Sequence, residues 1–124
     1  MIKFIVKKHT ISFTNAFNGL VYELKTQPNF KIHFFFSFIS IIASIVLKIS
    51  TIEWMIIIFL ITVGLAIESV NSAIEAATDA IDTRYRPDIK VAKDIAAAAM
   101  LIFALGSSTI ALLIFFPKIL VYFK

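Results

Sequence analysis

The sequence predicts an all-α integral membrane protein: three transmembrane helices preceded by an N-terminal amphipathic surface helix. Three observations carry this. Sixty per cent of the 124 residues are apolar, above the roughly 45–50% of soluble globular chains. Three apolar runs are each long enough to cross a bilayer at about 1.5 Å of rise per residue. Only three Gly and three Pro interrupt a chain with thirteen Phe, which excludes disordered and fibrous classes. The length leaves room for a single domain over residues 1–124. The absence of cysteine excludes disulfides and thiolate metal sites within the chain.

Residues 1–27 mix Lys3, Lys7, Lys8, His9, Glu23 and Lys25 with apolar positions. Phe13, Phe17, Leu20, Val21 and Leu24 recur at helical spacing, while Asn15, Asn18 and Lys25 lie off that stripe. The pattern describes a helix lying on a membrane surface or an amphipathic packing helix, since both bury the same stripe. Residues 30–47 form the first span, apolar but for Lys31, His33 and scattered Ser, and they cover about 27 Å. A short polar turn over 48–53 follows, and Trp54 opens the second helix at the interfacial depth that aromatics favour. This helix, 54–81, stays apolar to Ile67 apart from Thr62, then carries acidic groups at intervals. A basic loop over 82–90, containing Pro87, breaks it, and a third span runs over 91–116, ending at Pro117.

Charge sets the orientation. Five Lys precede the first span or sit at its start, four Lys or Arg lie within 82–93, and only Lys48, Lys118 and Lys124 remain for the other side. Nine against three predicts a cytoplasmic N-terminus and a cytoplasmic 82–90 loop in the inner (cell) membrane. Basic charge then gathers where anionic headgroups and nucleotides are found, so the formal charge of +4 needs no nucleic acid to explain it.

Glu68, Asn71, Glu75 and Asp79 stand at i, i+3, i+7 and i+11, on one face of the second helix. Glu68 lies fourteen residues beyond Trp54, roughly 21 Å along the helix, where an ionisable side chain costs several kcal/mol unless paired or hydrated. A polar contact between helices would explain a lone Asn or Ser, but three carboxylates on one stripe point to function. The third span opens with Ala92, Lys93, Asp94 and the small run Ala96 to Ala99, which allows close helix approach and brings Lys93 and Asp94 to the stripe. Lysine there can neutralise carboxylates or contact a phosphate. Glu75, nearer the cytoplasm, suits magnesium, which takes one or two carboxylates plus substrate phosphates. Glu68, about 10 Å deeper along the helix axis, is placed to meet a hydroxyl arriving from the lipid. Phosphoryl transfer needs this positioning, charge neutralisation and an aligned hydroxyl. The alternative is a non-enzymatic subunit of a channel or transporter whose acidic stripe carries protons or cations.

The run Glu68 to Asp79, E-x-x-N-S-A-I-E-x-x-x-D, followed by A-K-D and the small residues of Ala92 to Ala99, resembles the prokaryotic diacylglycerol kinase family, which includes the undecaprenol kinases. The resemblance covers nearly the whole chain. It implies a homotrimer of three-span protomers with a surface helix, active sites shared between protomers, ATP with Mg2+ as phosphoryl donor, and a membrane lipid alcohol as acceptor. By position it implies that Glu68 is the catalytic base, Glu75 a metal ligand, and Lys93 and Asp94 a nucleotide-contacting pair. Asn71, Asp79, Arg84, Tyr85, Arg86, Lys8 and Asn15 join the ATP site by the same resemblance, Asn15 standing where an aromatic is found in the family. The same resemblance implies that Glu68, Asn71 and Ala97 face the lipid substrate. Gln27 occupies a second, normally acidic, metal-binding position, with Glu23 one turn earlier as a substitute carboxylate. The segments "FKIH", "IEW", "AKDIAAAAM" and "FFPK" look closer to the undecaprenol kinase branch.

Overall fold

The computed structural model of the protein describes residues 2–122, and the side chains of residues 12–121. Lys8 therefore lies outside the residues whose side chains are described. Four helices follow in order: α1 (Ile2–Thr26), α2 (Pro28–Val46), α3 (Thr51–Ile81) and α4 (Pro87–Tyr122). No strand occurs among the described residues. The helices α2, α3 and α4 are each long and apolar enough to cross a membrane.

The boundaries have local causes. Gln27 is extended (φ −96°, ψ 108°) because Pro28 follows it, and the proline ring disfavours helix at the preceding residue. Pro28 then opens α2, two residues before the expected start, since the first helical position needs no N–H. Lys48 adopts a left-handed φ of 49° in the turn after α2. Ser50 and Glu53 form a capping box: the Ser50 Oγ accepts from the Glu53 N–H at 3.3 Å, and Glu53 Oε2 accepts from the Ser50 N–H at 2.6 Å. Those residues, read from sequence as a polar turn, thus start α3 at Thr51 rather than Trp54. Its end at Ile81 agrees with expectation.

α4 is longer than expected at both ends. Pro87, expected in the loop, instead opens the helix, and the helix continues through Pro117 to Tyr122. Proline removes one backbone hydrogen bond but is tolerated in membrane helices, where neighbours and local adjustments satisfy the freed groups.

One hydrophobic cluster lies at the end of the bundle away from the basic loop. Ile49, Ile57 and Ile114 are buried there, with Leu47, Trp54, Ile61 and Phe115 around them. Lys118 Nζ reaches Glu53 Oε2 at 3.1 Å and ties the end of α4 to the start of α3. Midway along, α3 and α4 approach closely at Gly64, where an added Cβ would lie 2.7 Å from Phe103 Cε1. Outer faces remain apolar and open, including Phe34, Phe35, Phe38 and Phe59, as lipid-facing helices require. On α1 the stripe divides: Phe13 and Phe17 are exposed, while Val21 and Leu24 are half-buried where α1 meets α2.

Candidate active site

The stripe on α3 is buried where it is deepest. Glu68 is 2% exposed and Asn71 5%. Such groups persist away from water only when partnered or when a ligand completes them. Asn71 Nδ2 donates to Glu75 Oε1 at 3.4 Å, while Asn71 Oδ1 is buried with no hydrogen-bond partner. An orphaned amide oxygen beside a carboxylate is an acceptor pair awaiting a donor or a cation.

A third carboxylate comes from α1. Glu23 Oε2 accepts from Ser69 Oγ at 2.8 Å, joining the end of the amphipathic helix to the residue beside Glu68. Among the described residues none of Glu23, Glu68 and Glu75 forms an ion pair. Among the described residues, therefore, no Lys or Arg compensates these three carboxylates. Gln27, which the family resemblance assigns to a second metal-binding position, is half-buried at the N-cap of α2 and makes no side-chain capping bond. The Ser69 contact was not read from sequence, although Glu23 is the only carboxylate in the first 52 residues, and that isolation marked it.

At the outer end of the stripe, Lys93 Nζ meets Asp79 Oδ1 at 2.6 Å. Asp94 does not join it, because it is paired with Lys90 on its own helix. The connection between α3 and α4 carries two further pairs. Arg84 holds Asp82 through Nε and Nη2, both at 3.0 Å, and Arg86 Nη2 holds Asp88 at 2.6 Å. The Arg84 guanidinium, with the Arg84 backbone N–H, keeps the Asp82 carboxyl below the usual aspartate range. Arg84 and Tyr85 project outward, with the Arg84 side chain 86% and Tyr85 79% exposed. Asn15 and Ala97 are exposed on α1 and α4. The structure thus joins Asn71 to Glu75 and Lys93 to Asp79, and leaves Asn15, Ala97, Tyr85 and Asp94 outside those contacts.

Among the described residues no three carboxylate or imidazole groups gather closely enough to hold a metal ion alone. A magnesium ion takes only one or two protein carboxylates and completes its shell with phosphate and water oxygens. Glu75 and the orphaned Asn71 Oδ1 are the fitting oxygens.

The chain is similar to known proteins of one family. A family model described as "Prokaryotic diacylglycerol kinase" matches residues 14–115. The undecaprenol kinase of Bacillus subtilis (strain 168) is 40% identical over 108 residues, 87% of this chain and 88% of that protein. The diacylglycerol kinase of Synechocystis sp. (strain ATCC 27184 / PCC 6803 / Kazusa) is 30% identical over 111 residues, 89% of this chain and 63% of that protein. The chain belongs to the prokaryotic diacylglycerol kinase family and is a lipid kinase.

Proposed function

We propose that this lipid kinase transfers the terminal phosphoryl group of ATP, bound with Mg2+, to the hydroxyl of undecaprenol at the cytoplasmic membrane face. The observation that carries the reading is Glu68: a carboxylate 2% exposed, within an apolar helix, on the stripe that ends at the Lys93–Asp79 pair. The greater identity and fuller coverage of the undecaprenol kinase relative favour a polyprenol over diacylglycerol.

In this reading Glu68 accepts the hydroxyl proton as the alcohol oxygen bonds to the γ-phosphorus of ATP, whose bond to the bridging oxygen breaks to release ADP. Glu75 and Asn71 Oδ1 hold the metal ion, which when bound neutralises phosphate charge. Lys93, Arg84 and Arg86 each sit in an ion pair with a carboxylate, and the nucleotide phosphates compete for them. Asp79 orients Lys93 until then. The nine basic residues in the N-terminal and 82–93 segments support a cytoplasmic position for this end of the bundle. Assembly as a homotrimer belongs to the same reading.

Purified protein given labelled ATP and either undecaprenol or diacylglycerol tests this. Undecaprenyl phosphate is the expected product. Transfer to diacylglycerol alone would move the substrate assignment, and transfer to neither would overturn the reaction.

A further inference from the structure

A base that takes a proton from an alcohol also takes one from water. If water reaches Glu68, its oxygen bonds to the γ-phosphorus, the bond to the bridging oxygen breaks, Glu68 receives the water proton, and ATP is hydrolysed with no lipid phosphorylated. Sites for phosphoryl transfer avoid this by closing an element over the reacting groups. Glu68 is 2% exposed, so the site is closed in this structure.

The element beside it is α1. Residues 12–20 are exposed, while Val21, Glu23 and Leu24 are half-buried, so this helix bears on the bundle by its C-terminal turns. Glu23 Oε2 accepts from Ser69 Oγ at 2.8 Å, a bond between residues 46 apart in sequence and next in the chain to Glu68. Glu23 also lies near enough to Glu68 for the two charges to repel. Stability alone gives no reason for a carboxylate there, because a neutral side chain would escape that repulsion. The opposition of a charge-assisted hydrogen bond to like-charge repulsion instead makes a contact that forms and releases readily. A closing element needs that balance, since the alcohol must enter and its phosphate must leave.

We infer that Glu23 is a positioning residue: bonded to Ser69, it holds the end of α1 over the turn of α3 that carries Glu68, and so keeps water from the base until a lipid alcohol takes its place. The inference rests on the proposed role of Glu68.

Ser69 is the residue to vary, because it stands outside the proposed chemistry and alanine is the better helix former. Ser69→Ala removes the donor, whereas Ser69→Thr keeps a hydroxyl. In Ser69→Ala, and in Glu23→Ala, the ratio of ATP hydrolysed without lipid to lipid phosphate formed should rise about tenfold or more, the worth of a hydrogen bond to a charged group. Ser69→Thr should restore the ratio of the unaltered protein. A merely structural contact would lower hydrolysis and lipid phosphorylation together and leave the ratio unchanged, which would overturn the inference. Hydrolysis as high in Ser69→Thr as in Ser69→Ala would overturn it too.

A second measurement needs no catalysis. The chain has no cysteine, so Glu68→Cys carries a single thiol at the covered position. A charged, water-soluble maleimide should label it slowly, and adding Ser69→Ala should speed labelling about tenfold, with Ser69→Thr close to the parent. Faster labelling in Ser69→Ala, in a protein whose unaltered form phosphorylates no lipid, would uphold the cover and sink the kinase reading. Equal labelling rates in all three proteins would sink the cover, whatever the unaltered protein phosphorylates.

Discussion

Lys93 Nζ and Asp79 Oδ1 lie 2.6 Å apart across fourteen residues of sequence, closing the gap between the start of α4 and the end of α3. The Lys93 side chain is 35% exposed, so solvent screens much of this pair's stability. Its weight falls on placement: the ammonium is held at the mouth of the stripe with donors to spare. Lys93→Gln should therefore raise the apparent KM for ATP by about tenfold or more, the worth of a charge-assisted hydrogen bond, with little loss of folded protein. Steady-state kinetics with circular dichroism checks both halves. An unchanged KM would assign Lys93 to structure alone.

Glu75 shares a hydrogen bond with Asn71, and Gln at 75 could keep that geometry while losing the charge. Glu75→Gln should raise the magnesium concentration needed for half-maximal turnover, by about tenfold or more. Titrating Mg2+ at fixed ATP reads this directly, and an unaltered magnesium curve would remove Glu75 from the metal site.

Asp82 accepts from the Arg84 side chain and backbone, and its carboxyl is held below the ordinary range, near 3.9 for an isolated aspartate. A depressed folded-state value means that the pair's contribution is present above the unfolded-state value and is lost as pH falls through the lowered folded-state one. Infrared or NMR titration should show Asp82 protonating below its ordinary pH, and Arg84→Ala should move the transition back up. No movement would mean that the contact does not hold in solution.

Gly64→Ala sets two effects against each other. Alanine gains about 1 kcal/mol of helix propensity, but its Cβ would stand 2.7 Å from the Phe103 ring, and overpacking typically costs about 1–3 kcal/mol. The net change should be a loss of thermal stability in detergent. In a Phe103→Leu background the clash is relieved and the same substitution should become neutral or stabilising. A Gly64→Ala protein as stable as wild type would show that the ring moves aside freely.

Much of this architecture was legible because bilayer length and hydrophobic runs constrain helices strongly. The errors came from single residues. Pro87 looked like a loop residue and instead opens a helix, and Pro117 looked like a terminus and is carried within one. Ser50 and Glu53 looked like a turn and form a cap. Periodicity placed Glu68, Asn71, Glu75 and Asp79 on one face, since that depends only on the helix they share. It could not reveal that Asp94 turns to Lys90 or that Glu23 reaches Ser69, because pairings between side chains depend on helix rotation and on competing partners.

Glu68 is the most exacting position. Its carboxylate is 2% exposed, and no Lys or Arg among the described residues pairs with it. Replacing a buried unpaired charge by a neutral group of the same shape is expected to leave stability equal or improved. Catalysis should move the other way. If Glu68 takes the hydroxyl proton, Glu68→Gln should lower kcat by about two to four orders of magnitude, the usual contribution of a general base, with the KM for ATP little altered. That split separates a base from a nucleotide ligand, whose loss would raise KM. Measuring lipid phosphate formation beside nucleotide affinity and melting temperature resolves all three quantities in one variant. Full activity in Glu68→Gln would leave the kinase assignment standing and require another acceptor for the proton, for which Glu23, joined to Ser69 at 2.8 Å, is the nearest candidate from α1.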